Sequence, residues 1–168
     1  VSDLMMPVPL VSGGGQEKGF RAGTENVPGI AGFGAAAREA LAGLAGVEDI
    51  RAMRDAFEQV VVRLAPDATI FGNRAERLCN TLFFAVPGLK AETAQIAFDL
   101  AGVSLSAGSA CSSGKVGPSH VLKAMGYGET AGALRVSIGP ATGEAELKAF
   151  EQALRAHLAR RDRGERAA

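Results

Sequence analysis

The chain has no tryptophan, one tyrosine and eight phenylalanines in 168 residues, so aromatics make up only 5% of it. A groove that stacks single-stranded bases needs a series of exposed rings, and this chain has too few to build one. Charge of a single sign is also missing: 18 lysines and arginines balance 18 aspartates and glutamates. No summed field draws the chain to nucleic acid or to an anionic bilayer. Cysteine is scarce. Cys79 and Cys111 are the two present; they cannot form a disulfide scaffold and supply too few ligands for a zinc knuckle, so no metal site is expected. A reducing compartment, the cytoplasm, is the simplest setting. No charged–apolar–small leader and no apolar run of about 18 residues stand out, so no membrane segment is expected.

What is present is an ordinary globular composition, 47% hydrophobic and 21% charged, on a length of about one domain. There is no internal repeat and no low-complexity segment. The opening "VSDLMMPVPLVSGGG" has no capping or polar start and reads like the middle of something larger. The polar, Gly-rich "GGGQEKGFRAGTEN" follows, with turn chemistry and little helical pattern.

Helical patterns come next. "VPGIAGFGAAAREALAGLAG" is Ala- and Gly-rich, with Ile30, Phe33 and Leu41 as its larger apolar residues. Its glycines each lower helix propensity by up to ~1 kcal/mol relative to Ala, so packing must hold it. Gly46 ends it. A second helix is predicted from about Glu48 to Leu64, where Ile50, Met53, Phe57, Val60, Val61 and Leu64 recur at helical spacing. Two strands follow, "TIFG" and "NTLFFAV", then a Pro87-Gly88 turn, a short helix "AETAQIAFDLAG" stopped by Gly102, and a brief strand "VSL". The loop "SAGSACSSGKVGPSH" leads to a short helix "PSHVLKAMG", the strand "GALRVSIG", and a last helix starting after Thr142. Leu147, Phe150, Leu154 and Leu158 line one face of that helix, and the charged tail "RDRGERAA" is expected to fray. The order predicts a layered α/β domain with helices packed on a small mixed β-sheet.

Three places carry chemistry. Cys111 lies in "SAGSACSSG", among serines, alanines and glycines, with Lys115 and His120 following. A free cysteine is most often a small buried hydrophobe; hydroxyls and flexible glycines favour instead an open thiol, which attacks as its thiolate. Cys79, just before a strand, reads as packing. "GGGQEKGFRAGTEN" can act as an anion cradle through glycine N–H groups, the Thr24 hydroxyl and Arg21, or simply as a connector. Arg135 sits in the apolar strand "LRVSIG". A charge there is seldom buried alone. It either aims its planar fork at a carboxylate or forms a structural salt bridge.

In this order, "GGGQEKGFRAGTEN", "SAGSACSSG" and "LRVSIG" resemble the carboxy-terminal part of the cysteine desulfurases, pyridoxal-phosphate (PLP) enzymes of the class V aminotransferase, fold-type I group. The resemblance runs from about Gly13 to the final helix. It implies the small C-terminal domain of a fold-type I PLP enzyme: residues 1–26 as a remnant of the large cofactor domain and its connecting loop, 27–163 as the small domain, and 164–168 as a frayed tail.

By that resemblance Cys111 is the catalytic nucleophile that takes sulfur from L-cysteine as a persulfide, releasing L-alanine. Arg135 and Asn26 bind the substrate, and Thr24, with Gly23, contacts the cofactor phosphate of the partner subunit in a homodimer. A sulfur acceptor or iron–sulfur scaffold protein would take the sulfur. The chain departs from the family in one large respect. The cofactor lysine lies in an H-K-x-x-G-P-K-G segment, and none of Lys18, Lys90, Lys115, Lys123 and Lys148 has that context. The expectation is a chain that is inactive alone. A stand-alone sulfur carrier or regulatory module, and a piece of a selenocysteine lyase or another class V aminotransferase, are the alternatives.

Overall fold

The computed structural model describes residues 8–107, 120–127 and 133–165. The chain divides into two units, Val1–Leu44 and Ala45–Ala168. This division falls after the first helix, whereas the sequence reading placed a boundary ahead of it.

The first unit begins with irregular chain and a 3-10 turn at Gln16–Gly19. Glu17 and Lys18 adopt left-handed backbone there, with φ of 50° and 59°, an uncommon state for residues that carry a Cβ. Helix α1, Val27–Gly43, follows. Asn26 is its N-cap: Oδ1 accepts the Gly29 N–H at 3.1 Å, an interaction worth about 1 kcal/mol. Glycine at position 29 lets the Asn26 amide pack directly against the helix backbone. A Cβ there would sit 2.5 Å from Asn26 Nδ2 and 2.9 Å from Cγ. No residue of α1 is buried, and Val27, Ile30, Phe33, Leu41 and Leu44 are all exposed. At 100° per residue these five fall on one face.

The helical run Val27–Leu64 contains an 18-residue window of mean hydropathy 1.2, apolar enough by length and composition to cross a membrane. The sequence reading expected no such run. Its large apolar residues are spread among alanines and glycines rather than grouped in one block.

The second unit is a four-stranded sheet of order β1-β2-β4-β3, built from β1 (Thr69–Ile70), β2 (Thr81–Ala85), β3 (Ser106–Ala107) and β4 (Ala133–Ser137). Helices α2 (Val47–Leu64), α3 (Ala91–Leu100), α4 (His120–Ala124) and α5 (Glu144–Glu165) accompany it. The α/β class stands, but the sheet is not mixed: all three strand pairings among the described residues are antiparallel. The reason is topological. Helix α3 crosses from β2 to β3, which makes those two strands parallel, but β4 inserts between them and runs against both. This is a split βαβ unit.

Alternation along the strands sorts side chains to two faces. Leu82 and Phe84 of β2 and Leu134 and Val136 of β4 enter the main core with Phe57, Val60 and Val61 of α2, Phe98 of α3, and Phe150, Leu154 and Leu158 of α5. The opposite face carries a smaller cluster of Phe71, Ala85, Leu122 and Ala133, joined by Phe83 and Tyr127. The predicted core faces of α2 and α5 are thus the ones buried. Two boundaries differ. The strand predicted at "VSL" lies just beyond it, at Ser106–Ala107. Helix α5 continues to Glu165, into the tail expected to fray. Gly143, not Thr142, precedes α5: its N–H donates to Glu146 Oε2 at 2.8 Å, while the Thr142 hydroxyl accepts the Gly139 N–H at 3.0 Å and closes the preceding turn.

Arg54 has only 6% of its surface exposed. Its partners explain this: an ion pair to Asp55 at 2.7 Å and a hydrogen bond from Nη1 to the Leu78 carbonyl at 3.0 Å. One turn further along α2, Glu58 pairs with Arg77 at 2.7 Å. The two arginines tie the loop between β1 and β2 to α2.

His157 of α5 is half-buried. Burial, and then the nearby Arg160 charge, push its pKa below the ordinary 6.5. A lowered histidine pKa means that the unfolded chain binds the proton more tightly than the folded one. His157 therefore costs no stability above about pH 6.5 and an increasing amount as pH falls below it. His157→Gln is expected to flatten the stability loss between pH 7.5 and 5.5, as measured by urea unfolding at both pH values.

Candidate functional site

In the first unit the predicted residues form one short loop. Gly23 has φ +88°, a left-handed turn that glycine adopts without strain, and both Gly23 and Thr24 are exposed. Arg21 shapes this loop. Its guanidinium donates to the Thr24 carbonyl from Nη1 and Nη2, each at 3.2 Å, and to the Ala22 carbonyl at 3.2 Å. Its Nε pairs with Glu17 at 3.3 Å. Arg21 is therefore a staple for its own backbone rather than the free cation expected of a cradle. Asn26 stands at the end of the same loop. Its oxygen is committed to the α1 cap, leaving Nδ2 as the group able to face a ligand.

In the second unit Arg135 lies mid-strand on β4. Its cross-strand partners are Phe83 on β2 and Ser106 on β3. Opposed residues of antiparallel strands share a face, so Phe83, Arg135 and Ser106 form one row on the face away from the main core. Arg135 is exposed, and Nη2 donates to Ser106 Oγ at 3.3 Å. Among the described residues no carboxylate pairs with it, in contrast to Arg51, Arg54, Arg63, Arg77 and Arg155, each of which holds an acid. Of the two readings left open for Arg135, the structural salt bridge is absent among the described residues. A charged fork on an open sheet face can receive a carboxylate bidentately.

Cys111, with Lys115, lies outside the described residues. Cys79 is a free, half-buried cysteine next to β2. Beside it, the Asn80 carbonyl accepts the Ile138 N–H at 3.0 Å and its Oδ1 accepts the Thr81 hydroxyl at 3.1 Å. Among the described residues no group of three or more histidines, cysteines and acids is placed to hold a metal ion. Sequence reasoning missed Ser106. Its strand was placed three residues too early, so the pairing with Arg135 was not visible. A strand that included Ser106 would have exposed it.

PLP, which the resemblance implies, can be tested against these groups. The exposed Gly23–Thr24 turn offers backbone N–H groups and a hydroxyl, chemistry suited to phosphate oxygens. The lysines do not match its attachment: Lys148 pairs with Glu144 at 3.5 Å on the solvent side of α5, Lys18 lies in the left-handed turn, and none of the five has the expected sequence context. The residues fit the phosphate end of the cofactor and not its covalent anchor.

A split βαβ sheet carries α2, α3 and α5 on its main-core face, and on the other face Arg135 lies exposed beside the smaller cluster that includes Leu122 of α4. The aminotransferase class-V model matches residues 10–150, and the chain belongs to that family. It is 43% identical over 141 residues to a cysteine desulfurase of Cereibacter sphaeroides, covering 83% of this chain and 36% of that protein. It is 39% identical over 147 residues to a cysteine desulfurase of Enterobacter agglomerans, covering 86% and 37%. Among solved structures, a NifS-like protein from Rickettsia africae ESF-5 superposes with a TM-score of 0.79 and 31% identity, over 93% of this chain and 41% of that one. A second NifS-like protein gives a TM-score of 0.76 and 30% identity, over 90% and 39%. The chain thus spans between 36% and 41% of the length of these relatives.

Proposed function

We propose that the chain is the carboxy-terminal part of a PLP-dependent cysteine desulfurase acting as a cytoplasmic homodimer. The observation that carries this reading is Arg135, an exposed guanidinium in a defined strand register with no acid among the described residues, in a chain whose similar relatives are cysteine desulfurases. The alignments cover little more than a third of those enzymes, and the lysine context is missing. Both support a division of labour in which the rest of the enzyme anchors the cofactor. The apolar face of α1, exposed here, fits a helix that is covered in the complete protein.

Each group then has a role. The Arg135 fork holds the carboxylate of L-cysteine and fixes its orientation. Thr24 and Gly23 contact the cofactor phosphate of the partner subunit, and Asn26 Nδ2 faces the substrate. PLP, when bound, supplies the electron sink that lets the substrate carbon–sulfur bond break. The Cys111 thiolate attacks the substrate sulfur. One thiol and one L-cysteine give one persulfide on Cys111 and one L-alanine, with no external oxidant. The persulfide sulfur then passes from Cys111 to a sulfur acceptor such as an iron–sulfur scaffold protein.

The test is Arg135→Lys in the full-length protein. Lysine keeps the charge but loses the fork. KM for L-cysteine is expected to rise on the order of 10- to 100-fold, the value of a charged hydrogen-bonded contact of about 1.5–3 kcal/mol, with a smaller change in kcat. An unchanged KM would reject the assignment.

A further inference from the structure

Arg135 is a long, exposed side chain, and an exposed arginine samples many rotamers unless something holds it. The row Phe83–Arg135–Ser106 shows what is available. On one side is a phenyl ring, packed on Phe71 with centroids 4.9 Å apart, which offers an apolar wall. On the other is the Ser106 hydroxyl, 3.3 Å from Nη2, which offers the only hydrogen bond to this guanidinium among the described residues.

Strand β3 is two residues long and lies at the edge of the sheet, so by itself it would hold Ser106 loosely. It is anchored from both sides of Ser106. Gln95 of α3 donates from Nε2 to the Leu105 carbonyl at 3.2 Å, and Leu105 and Ala107 both pack on the main core. The hydroxyl is therefore fixed by elements on the opposite face of the sheet.

We propose that Ser106 is a positioning residue for Arg135: its hydroxyl holds one Nη2 donor, so that the remaining donors of the fork present a preset edge to a substrate carboxylate. This rests on the reading of Arg135 as the carboxylate clamp. Ser106 does not touch the reacting atoms; it acts through Arg135. It also precedes Cys111 by only five positions, so the strand end that sets the clamp leads directly into the segment bearing the nucleophile.

The experiment compares Ser106→Ala, Ser106→Thr and Arg135→Lys in the full-length protein, with thermal melts confirming that each folds. Ser106→Ala is expected to raise KM for L-cysteine about 5- to 10-fold, the value of one ordinary net hydrogen bond, and to leave kcat within about two-fold. Ser106→Thr, which keeps the hydroxyl, restores KM. A second readout needs no turnover. In the 15N-arginine-labelled chain of 168 residues, rotation of the Arg135 guanidinium about its Cζ–Nε bond, followed by NMR exchange, is expected to speed up in Ser106→Ala and not in Ser106→Thr. Wild-type KM and wild-type rotation in Ser106→Ala, with Arg135→Lys still impaired, overturn the positioning role and leave the clamp intact. If Arg135→Lys has no effect, both fall. If Ser106→Thr is as impaired as Ser106→Ala, the residue serves the strand rather than the guanidinium, and the proposal is overturned.

Discussion

Cys111→Ser in the full-length protein is expected to lower the release of L-alanine from L-cysteine by about 10³-fold or more, with no persulfide detectable by intact mass. Loss of a catalytic nucleophile is among the largest single-residue effects in enzymes, because what survives is only binding and the residual chemistry of the cofactor. A serine hydroxyl differs from a thiol by one atom, but at neutral pH it has almost none of the ionised form that attacks sulfur. Substrate should still bind, because the proposed clamp is Arg135 and not Cys111. KM for L-cysteine is therefore expected to stay within about three-fold, and Arg135→Lys should show the reverse pattern. If Cys111→Ser kept full alanine release, sulfur would not pass through Cys111. A reading as a class V enzyme that does not use this cysteine as its sulfur carrier would then replace the one proposed.

Phe150→Ala is expected to destabilise the second unit by about 3–5 kcal/mol, the cost of removing a fully buried phenyl ring. Phe150 is 0% exposed. Its ring meets Phe57 of α2 at 5.1 Å, Phe98 of α3 at 5.5 Å and Phe84 of β2 at 6.4 Å between centroids. One residue of α5 thus joins two other helices to the sheet. A typical domain has about 5–15 kcal/mol in total, so the variant should lose a large part of its stability. Urea unfolding should show a lower midpoint with an unchanged slope. Phe33→Ala, on the 79%-exposed ring of α1, is the control, and in this chain it should stay within about 0.5 kcal/mol. A Phe150→Ala midpoint close to wild type would contradict the core described here.

Much of the second unit could be read in advance because its signals are local. The faces of α2 and α5 repeat every 3.6 residues, and a buried face needs that repeat wherever the helix docks. Pro87-Gly88 and Gly102 fall where expected, since turn and stop residues act on their own backbone: the Leu89 N–H bonds the Val86 carbonyl at 3.1 Å, and the Gly102 N–H bonds the Asp99 carbonyl at 2.9 Å. The errors share a cause. The "VSL" strand was misplaced because a two-residue edge strand has too few positions to show a period of two. Arg21 read as a free cation because, besides Glu17, its partners are the Ala22 and Thr24 carbonyls, which carry no sequence signature. Nothing local in the sequence marks Arg54 of α2 as buried. It is buried because Leu78, 24 positions away, brings a carbonyl to it.

The same division holds for the candidate site. The motifs and their order along the chain, through the resemblance they carry, single out Cys111, Arg135, Thr24, Gly23 and Asn26 as candidates. The antiparallel register, the placing of β4 between β2 and β3, the Ser106 hydroxyl beside Arg135 and the double anchor of β3 came only from the tertiary structure. Each depends on which distant segments meet, and that is settled by burying both faces of the sheet at once, a constraint no local window contains.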